Sequence, residues 1–241
     1  MPTSIDKHRQ CYPFRMNDHR IAPAGPLPFI DAAAEKSAGS PARLCAVCVY
    51  CGASTGTASR YAEAAREFAA ALVARKLALV YGGGNIGLMG VIADEVMRLG
   101  GDVTGVIPQA LMDKEVGHQA VSRLHVVANM HERKAMMAQL ADGFVAMPGG
   151  IGTLEELFET LTWSQLGLHD KPIGLLNVDG FYDDLIAFIG HLVRQGFLKP
   201  SHADLLMHEA TASPLLDRFS RFVPDRAGKI LQPHAAKDLL D

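Results

Sequence analysis

The stretch Leu77-Ala-Leu-Val-Tyr-Gly-Gly-Gly-Asn-Ile-Gly-Leu-Met-Gly90 decides the fold class of this sequence. Its first five residues are an apolar run, which is typical of a strand buried on both faces of a parallel sheet. A glycine-rich turn follows, and Leu88 begins an amphipathic segment that reaches Leu99. Strand, glycine turn and helix in this order predict one unit of a doubly wound parallel sheet.

The same alternation of apolar runs and amphipathic segments extends along the chain on both sides of this stretch. Predicted strands occupy residues 44–50, 77–81, 102–107, 124–127, 144–147 and 173–178. Predicted helices occupy residues 59–75, 88–99, 130–140, 153–166, 181–195, 203–210 and 214–222. Residues 109–121 show no clear period and are predicted to form a loop. We therefore expect an α/β fold, a Rossmann-like doubly wound parallel sheet with helices on both faces, in a single domain over residues 44–225.

Residues 1–43 differ in composition from the rest of the chain. They hold six of the 13 prolines and no sustained periodicity, so we expect a flexible N-terminal extension. No continuous apolar stretch follows the early charges, which argues against a secretory signal, and Met16 is an alternative start to Met1. Residues 226–241 are expected to form a tail on the surface.

The overall charge and hydropathy exclude several classes of protein. The 241 residues carry 23 basic and 26 acidic side chains, and the formal net charge of −3 gives no indication of a nucleic-acid partner. No apolar run reaches the roughly 18 residues that a membrane span requires. The 49% of hydrophobic residues is ordinary for a globular core. We expect a cytoplasmic protein with neither nucleic-acid nor membrane partners.

Three of the four cysteines follow the spacing Cys45-x-x-Cys48-x-x-Cys51. This spacing is compatible with iron–sulfur or zinc ligation, which needs thiolates that converge from a loop. The intervening residues are instead typical of a strand, in which Cys48 points to the opposite face from Cys45 and Cys51. The composition favours small hydrophobic residues in a buried strand, so we predict reduced thiols and no metal site.

The first glycine turn matches G-x-G-x-x-G at Gly82, Gly84 and Gly87, between a strand and a helix. A dinucleotide site also needs an acid at the carboxyl end of the next strand to bind ribose. The only acid of that strand, Asp102, stands at its opposite end. A Rossmann dehydrogenase is therefore disfavoured, and we expect the turn to help build a mononucleotide crevice in which Gly83 and Gly84 contact the substrate.

The second glycine turn, residues 147–156, again follows a strand and begins a helix. Its three glycines and the Thr153 hydroxyl form a cradle for an anion at the positive end of a helix. Glu156 has two interpretations. It can complete a Thr153-x-x-Glu156 capping box by accepting from the Thr153 amide. Alternatively, its carboxylate faces the group attached to the bound phosphate.

Arg133 and Lys134 lie in the first turn of the helix that precedes this strand. The simpler interpretation is a solvated helix face. Two cations at a helix N-terminus are nevertheless electrostatically unfavourable, because that end prefers anions. The pair also emerges at the edge of the sheet that carries both glycine turns, which indicates an anionic ligand. Glu115 and Thr162 are weaker candidates around the same crevice.

Four blocks of the sequence resemble, in order, motifs of the Lonely guy family of cytokinin riboside 5′-monophosphate phosphoribohydrolases. The second glycine turn is similar to the family motif P-G-G-x-G-T-x-x-E, and the resemblance runs from about Cys48 to Leu216. The blocks are residues 81–90, 130–134, 148–156 and 162–167. The chain departs from the family in its long N-terminal segment and at Ile151, where members often have tyrosine. Many members carry a lysine decarboxylase label, but we see no cofactor-lysine environment that would support decarboxylation.

The resemblance implies hydrolysis of the N-glycosidic bond of a nucleoside 5′-monophosphate, giving free base and ribose 5-phosphate. It also implies a homodimer and no organic cofactor. The family's catalytic arginine and glutamate fall on Arg133 and Glu156. With the two glycine turns, the expected substrate contacts are Gly83, Gly84, Glu115, Lys134, Gly149, Gly150, Ile151, Gly152, Thr153, Leu154, Glu155 and Thr162.

Breaking a ribose–base bond passes through an oxocarbenium-like state, which a carboxylate stabilises or supplies with an activated water. We assign this role to Glu156, place the 5′-phosphate on residues 149–153, and let Arg133 orient Glu156 or the ribose phosphate. The base is N6-isopentenyladenine or plain adenine. Met89, Met136 and Met137 are candidates for a prenyl pocket, although their helical spacing favours core positions.

A binding protein without catalysis is the competing class. Rossmann-like proteins with similar glycine turns carry nucleotide-like ligands, such as a molybdenum cofactor, without a reaction. The feature that discriminates the two classes is the combination of Arg133 with Glu156, which a carrier does not require.

Overall fold

The computed structural model describes residues 44–115 and 117–224, without the side chains at 113–115. The extension predicted for residues 1–43, the choice between Met1 and Met16, and the tail predicted for residues 226–241 all lie outside the described residues. The described part forms one seven-stranded sheet with helices on both faces, as the sequence predicts.

All strand pairs of this sheet are parallel, in the order β4-β3-β2-β1-β5-β6-β7. The strands are β1 Ala46–Tyr50, β2 Ala78–Tyr81, β3 Val103–Pro108, β4 Arg123–Val127, β5 Gly143–Ala146, β6 Ile173–Leu176 and β7 Leu206–Glu209. Strands β1, β2, β3 and β4 lie side by side in chain order, and β5 then pairs with the other side of β1. This reversal leaves a crevice at the carboxyl ends of β1 and β5, where ligands bind in open α/β sheets.

The helices connect successive strands and cover the two faces. They are α1 Ser59–Ala74, α2 Gly87–Arg98, α3 Gln109–Glu115, α4 Met130–Leu140, α5 Ile151–Leu166, α6 Asp183–Arg194, α7 Pro200–Ala203 and α8 Ala212–Ser220. None of the helices within residues 44–115 and 117–224 is long and apolar enough to cross a membrane.

The side chains of β1 alternate between two separate cores. Val47 and Val49 pack with α1, α2 and α8, whereas Cys48 and Tyr50 pack with α4, α5 and α6. Cys51 is buried on the first of these faces, opposite Cys48. Their thiols therefore cannot converge on one metal ion, and the interpretation of Cys48 and Cys51 as buried core residues is confirmed.

Two of the predicted elements are wrong. The loop predicted for residues 109–121 begins with helix α3, whose two turns are too short to display a helical repeat in the sequence. The helix predicted for residues 203–210 contains strand β7, which pairs with β6 from Leu206 opposite Ile173 to Glu209 opposite Leu176. Leucine and methionine do not by themselves indicate a strand, and here pairing with the open edge of β6 decides the conformation.

The turns after β1, β2 and β5 are held directly against each other. The Leu88 amide donates to the Gly52 carbonyl at 3.0 Å, and the Gly52 amide donates to the Pro148 carbonyl at 3.1 Å. Gly87 has a φ of +60°, and a Cβ there would overlap the Ala53 backbone. Glycine is thus required where these turns meet, and together they form the floor of the crevice.

Candidate active site

Helix α4 begins with side-chain caps from Asn129 and Glu132 that use neither of its cations. The Glu132 amide donates to Asn129 Oδ1 at 2.9 Å, and the Ala128 amide donates to Glu132 Oε2 at 3.0 Å. The helix start is therefore satisfied, while Arg133 and Lys134 are buried, each with 8% of its surface exposed. The interpretation of these cations as a solvated helix face is wrong.

Two backbone carbonyls hold the Arg133 guanidinium in place. Its Nε donates to the Val106 carbonyl at 3.2 Å, and its Nη2 donates to the Gly82 carbonyl at 3.1 Å. A Cβ at Gly82 would overlap the guanidinium. The first glycine turn therefore makes room for Arg133, a function of Gly82 that the dinucleotide pattern did not indicate.

Glu156 on α5 faces this arginine. Its Oε1 lies 3.7 Å from Arg133 Nη1, and the two side chains are only 12% and 10% exposed. This separation is an ion pair rather than a hydrogen bond. The structure thus brings together the two residues that the sequence selected as catalytic, on helices α4 and α5 that flank the crevice.

The predicted capping box at Thr153 and Glu156 is absent. Helix α5 begins at Ile151, two residues before the predicted start, and its N-cap, Gly150, makes no side-chain capping bond. Glu156 is consequently too far along the helix to bond the cap. Its carboxylate points to Arg133 instead.

Burial raises the pKa of Glu156 to about 7, against an ordinary value of 4.5. Arg133 opposes this rise, the neighbouring Glu155 adds to it, and Lys134 lowers the pKa again. A carboxyl with a pKa near neutrality exchanges a proton readily at cellular pH. Glu156 is thereby suited to general acid–base chemistry.

Lys134 reaches toward α5 and meets two carboxylates there. Its Nζ lies 2.5 Å from Glu155 Oε1 and 2.9 Å from Glu159 Oε2. The sequence interpretation named Glu155 as a substrate contact and missed Glu159. The signal was available, because Glu155 and Glu159 are four residues apart and share one face of a helix.

The second glycine turn has the features of an anion cradle. Thr153 is 4% exposed and its side chain packs on Gly149, where a Cβ would overlap the hydroxyl. Within residues 44–115 and 117–224 that hydroxyl makes no hydrogen bond. The first amides of α5 have no intrahelical partner and no side-chain cap. A phosphate at this helix start would satisfy both the amides and the Thr153 hydroxyl.

The remaining predicted contacts on α5 fall into two groups. Gly150, Ile151 and Gly152 are exposed at the start of the helix, whereas Leu154 packs partly into the core. Thr162 is exposed and donates to the Phe158 carbonyl at 2.7 Å, so it is not part of the Arg133–Glu156 arrangement.

The predicted contacts outside α5 are placed as follows. Glu115 ends α3, and its side chain lies outside the described part of the structure. Gly83 and Gly84 are buried, and their backbone pairs with the segment after α3: the His118 amide donates to the Gly83 carbonyl at 3.0 Å, and Gly84 forms a bridge with Gly117. These two glycines hold that segment against the first turn.

A buried chain of hydroxyls beneath Glu156 was also missed. Thr160 Oγ1 donates to the Glu156 carbonyl at 2.8 Å and lies 2.9 Å from the Tyr50 hydroxyl. Because the Thr160 proton is already used, Tyr50 is the donor in the second bond. This chain links the end of β1 to the turn of α5 that carries Glu156.

Comparison with known protein families supports the resemblance seen in the sequence. A family described as possible lysine decarboxylase matches residues 89–219. A probable cytokinin riboside 5′-monophosphate phosphoribohydrolase of Oryza sativa subsp. japonica is 50% identical over 194 residues, covering 80% of this chain and 86% of the relative. A cytokinin riboside 5′-monophosphate phosphoribohydrolase of Arabidopsis thaliana is 50% identical over 184 residues, covering 76% and 81%.

Solved structures of more distant proteins share the fold. The molybdenum cofactor carrier protein of Chlamydomonas reinhardtii aligns with a TM-score of 0.58 at 21% identity, over 74% of this chain and 98% of that protein. The molybdenum cofactor binding protein of Rippkaea orientalis aligns with a TM-score of 0.55 at 19% identity, over 73% and 94%. At these identities the likeness concerns the fold alone.

Proposed function

Since the chain belongs to the family of cytokinin riboside 5′-monophosphate phosphoribohydrolases, we propose that it hydrolyses the N-glycosidic bond of adenosine 5′-monophosphate, N6-modified or plain. The products are the free base and ribose 5-phosphate. The observation that carries this proposal is the buried pair of Arg133 and Glu156, 3.7 Å apart, near the helix start that forms the anion cradle. The catalytic unit is residues 44–225.

The substrate's 5′-phosphate binds the turn of residues 149–153, through the first amides of α5 and the Thr153 hydroxyl. This placement leaves the ribose in the crevice beside Glu156. Arg133 is already bound to the Gly82 and Val106 carbonyls, so its role is to orient Glu156 and balance its charge.

The ionised Glu156 carboxylate stabilises the positive charge that develops on the ribose as the bond to the base breaks. The electron pair of the C1′–N9 bond leaves with the base. A water oxygen bonds to C1′, Glu156 takes a proton from that water, and the proton passes on to the departing base. A pKa of about 7 allows Glu156 to accept and release this proton.

The test is incubation of the protein with AMP and, separately, with isopentenyl-AMP, followed by chromatography for free base. We expect release of base from at least one nucleotide, and the ratio of the two rates defines the base preference. Glu156→Gln serves as the matched control. Tight binding of both nucleotides without any base release would contradict hydrolysis and favour a carrier.

We also propose that the protein is a cytoplasmic homodimer and needs no organic cofactor. Large apolar side chains exposed near the site support self-association: on α5, Ile151 is 82% and Phe158 38% exposed. Phe188 on α6 and Phe197 after it are also exposed, at 54% and 85%. Light scattering of the purified protein should give twice the mass of one chain, and Phe158→Glu should reduce it to one.

A further inference from the structure

Thr160 follows Glu156 by one turn on α5 and joins that turn to two other parts of the fold. It is buried, and its hydroxyl donates to the Glu156 carbonyl at 2.8 Å and accepts from the Tyr50 hydroxyl of β1 at 2.9 Å. The Thr160 carbonyl lies 3.0 Å from Nε2 of His169, in the segment after α5. The turn that carries Glu156 is thus held both from the sheet and from the chain that follows the helix.

The buried ring of His169 is a donor to this carbonyl. Its Nδ1 accepts from the Lys171 amide at 3.1 Å. An imidazole that accepts at Nδ1 carries its proton on Nε2, so the 3.0 Å contact is a hydrogen bond to the Thr160 carbonyl. His169 therefore holds the carbonyl of Thr160 while Tyr50 holds its hydroxyl.

Both of these donors pack against Phe144 of β5. The Tyr50 ring stacks on it with centroids 6.2 Å apart and an angle of 12° between the planes. The centroid of the His169 ring lies 5.3 Å from that of Phe144. Strand β5 pairs with β1, with Tyr50 opposite Ala146. The groups that hold Thr160 are therefore packed on the two strands whose carboxyl ends form the crevice.

A hydroxyl that bonds the carbonyl one turn earlier is a common feature of helices and does not by itself indicate a role. Thr162, on the exposed face of α5, makes the same kind of bond to the Phe158 carbonyl at 2.7 Å. Thr160 differs because its hydroxyl is buried and a second hydroxyl reaches it from another element. Phenylalanine and valine would fill the same space with no polar group to satisfy, so packing alone does not require the two hydroxyls.

The Glu156 carboxylate depends on its backbone for its position. Among the residues that the structure describes, none donates a hydrogen bond to this carboxylate, and its contact with Arg133 is an ion pair at 3.7 Å. An ion pair is less directional than a hydrogen bond. The direction of the carboxylate is therefore set by where α5 places Glu156.

We propose that Tyr50 and Thr160 are positioning residues, which hold the turn of α5 that carries Glu156 against β1 and keep its carboxylate facing Arg133 and the crevice. With 3% and 1% of their surfaces exposed, they act through Glu156 rather than by contact with the substrate. The inference rests on the proposed function, in which Glu156 acts on the ribose. A small displacement of such a group lowers the rate strongly, because the reacting groups lose their alignment.

The experiment compares Tyr50→Phe, Thr160→Val and the double variant in the base-release assay. Each substitution removes a hydroxyl and keeps the shape of the side chain. We expect kcat to fall about threefold in Tyr50→Phe and about tenfold in Thr160→Val, with KM within about twofold of the parent. The double variant should be no slower than Thr160→Val, because Tyr50 acts through Thr160. Thr160→Ser keeps the hydroxyl and should restore kcat to within about twofold of the parent.

Urea denaturation separates this role from a contribution to stability. Thr160→Val leaves the buried Tyr50 hydroxyl without this partner and should be less stable than the parent, whereas the double variant removes both hydroxyls and should regain most of that stability. A double variant that is stable yet about tenfold slower is a result that a merely structural role does not produce. Ser220→Ala, which removes a hydroxyl bonded to the Asp217 carbonyl on α8, is the matched control and should leave kcat unchanged.

An NMR spectrum of isotope-labelled glutamate side chains tests the position of Glu156 without substrate. Its carboxyl signal is identified by its loss in Glu156→Gln and is recorded well above the Glu156 pKa of about 7, where the group is ionised. We expect this signal to be displaced or broadened in Tyr50→Phe and in Thr160→Val, and to keep the parent position in Thr160→Ser and Ser220→Ala.

A stable double variant with the parent kcat would overturn the proposal, and so would a Thr160→Ser enzyme as slow as Thr160→Val. If Thr160→Val and the double variant do not fold, kcat of Tyr50→Phe decides. A parent protein that releases no base would contradict the proposed function instead. The NMR comparison then decides alone, and a Glu156 signal that is unchanged in both single variants would exclude the positioning role.

Discussion

Arg133 occupies the space into which any side chain at Gly82 would project. Its Nη2 donates to the Gly82 carbonyl at 3.1 Å. The guanidinium fits in this position because Gly82 has no Cβ. Gly82 is therefore needed to accommodate the Arg133 guanidinium, as much as to allow the approach of any ligand. This relationship makes the turn after β2 part of the active site.

We expect Gly82→Ala to displace the Arg133 guanidinium and to lower kcat about 100-fold, because transition-state electrostatics depend on such placement. Gly190→Ala in α6 is the control, since a Cβ there meets only the end of the Arg194 side chain. Both variants are compared in the base-release assay and by circular dichroism. A Gly82→Ala enzyme with parent activity would show that the Arg133 position is not required.

The pH dependence of kcat/KM should follow the ionisation of Glu156. The carboxylate is the active form, so we expect activity to rise with pH through a midpoint of about 7 and then to level off. In Glu156→Gln the rate should fall at least 100-fold, because the charge that stabilises the transition state is removed. A folded Glu156→Gln enzyme that still releases base at near the parent rate would exclude the proposed role.

The raised pKa of Glu156 also affects stability. Between its ordinary value of 4.5 and about 7, the folded protein binds a proton at this site that the unfolded chain has released. The stability contributed by the protonated group is complete below the lower value and is lost as the pH rises through the upper one. We expect Glu156→Gln to be more stable than the parent by about 1–3 kcal/mol above about pH 8.

Urea denaturation at acidic and alkaline pH measures this difference. The advantage of Glu156→Gln should shrink as the pH falls from about 7 and vanish below about pH 4.5, where the parent carboxyl becomes protonated in both states. An equal or lower alkaline stability of the variant would mean that the ionised carboxylate is well accommodated next to Arg133.

Thr153→Val should impair binding of the phosphate. The Thr153 side chain packs on Gly149 at the start of α5, and we expect the loss of its hydroxyl to raise KM for a nucleotide about tenfold with little change in kcat. The corresponding nucleoside, which lacks the phosphate, is the control substrate and should be unaffected by the substitution. Equal effects on both substrates would place the phosphate elsewhere.

Two buried tyrosines provide a test of how hydroxyl partners contribute to stability. The Tyr81 hydroxyl has no hydrogen-bond partner in the part of the chain that the structure describes, whereas Tyr182 donates to the Met147 carbonyl at 2.6 Å. We expect Tyr81→Phe to leave the free energy of unfolding unchanged or raise it by up to about 1 kcal/mol. Tyr182→Phe should lower it by about 1 kcal/mol, measured by urea denaturation. A comparable decrease in the free energy of unfolding of both variants would show that the Tyr81 hydroxyl has a hydrogen-bond partner.

The sequence predicted six of the seven strands because each is a short, largely apolar segment between turns or helices. It missed β7, whose residues Leu206–Glu209 have no strand signature and are extended because β6 offers them an edge. The sequence did not give the order of the strands, which is known from the structure, but the alternation along β1 correctly placed Cys48 and Cys51 on opposite faces. Elements with a strong local signal were predictable, and those formed by tertiary pairing were not.

In the candidate site, too, features with a local sequence signal were predictable and contacts between separate elements were not. The segments at Asn129 and at Thr153 both have the spacing of a capping box, and of these two only Asn129 and Glu132 cap their helix. At Thr153 and Glu156 the helix instead begins two residues earlier, where Gly149 packs on Gly52 in the turn after β1. Local spacing was thus sufficient to select Arg133 and Glu156. It was insufficient to show that Glu159 neutralises Lys134, because that contact joins two helices.

The hydrogen bonds of Arg133 connect two parts of the fold that come from separate stretches of the chain. The arginine belongs to the helix that leads into β5, but the carbonyls it binds, at Gly82 and Val106, end β2 and β3. A nascent chain that contains only β1, β2 and β3 therefore lacks Arg133. A chain in which the sheet has opened loses the two carbonyls that bind the guanidinium. The arrangement of Arg133 and its two carbonyl partners is therefore complete only when both parts of the sheet have formed.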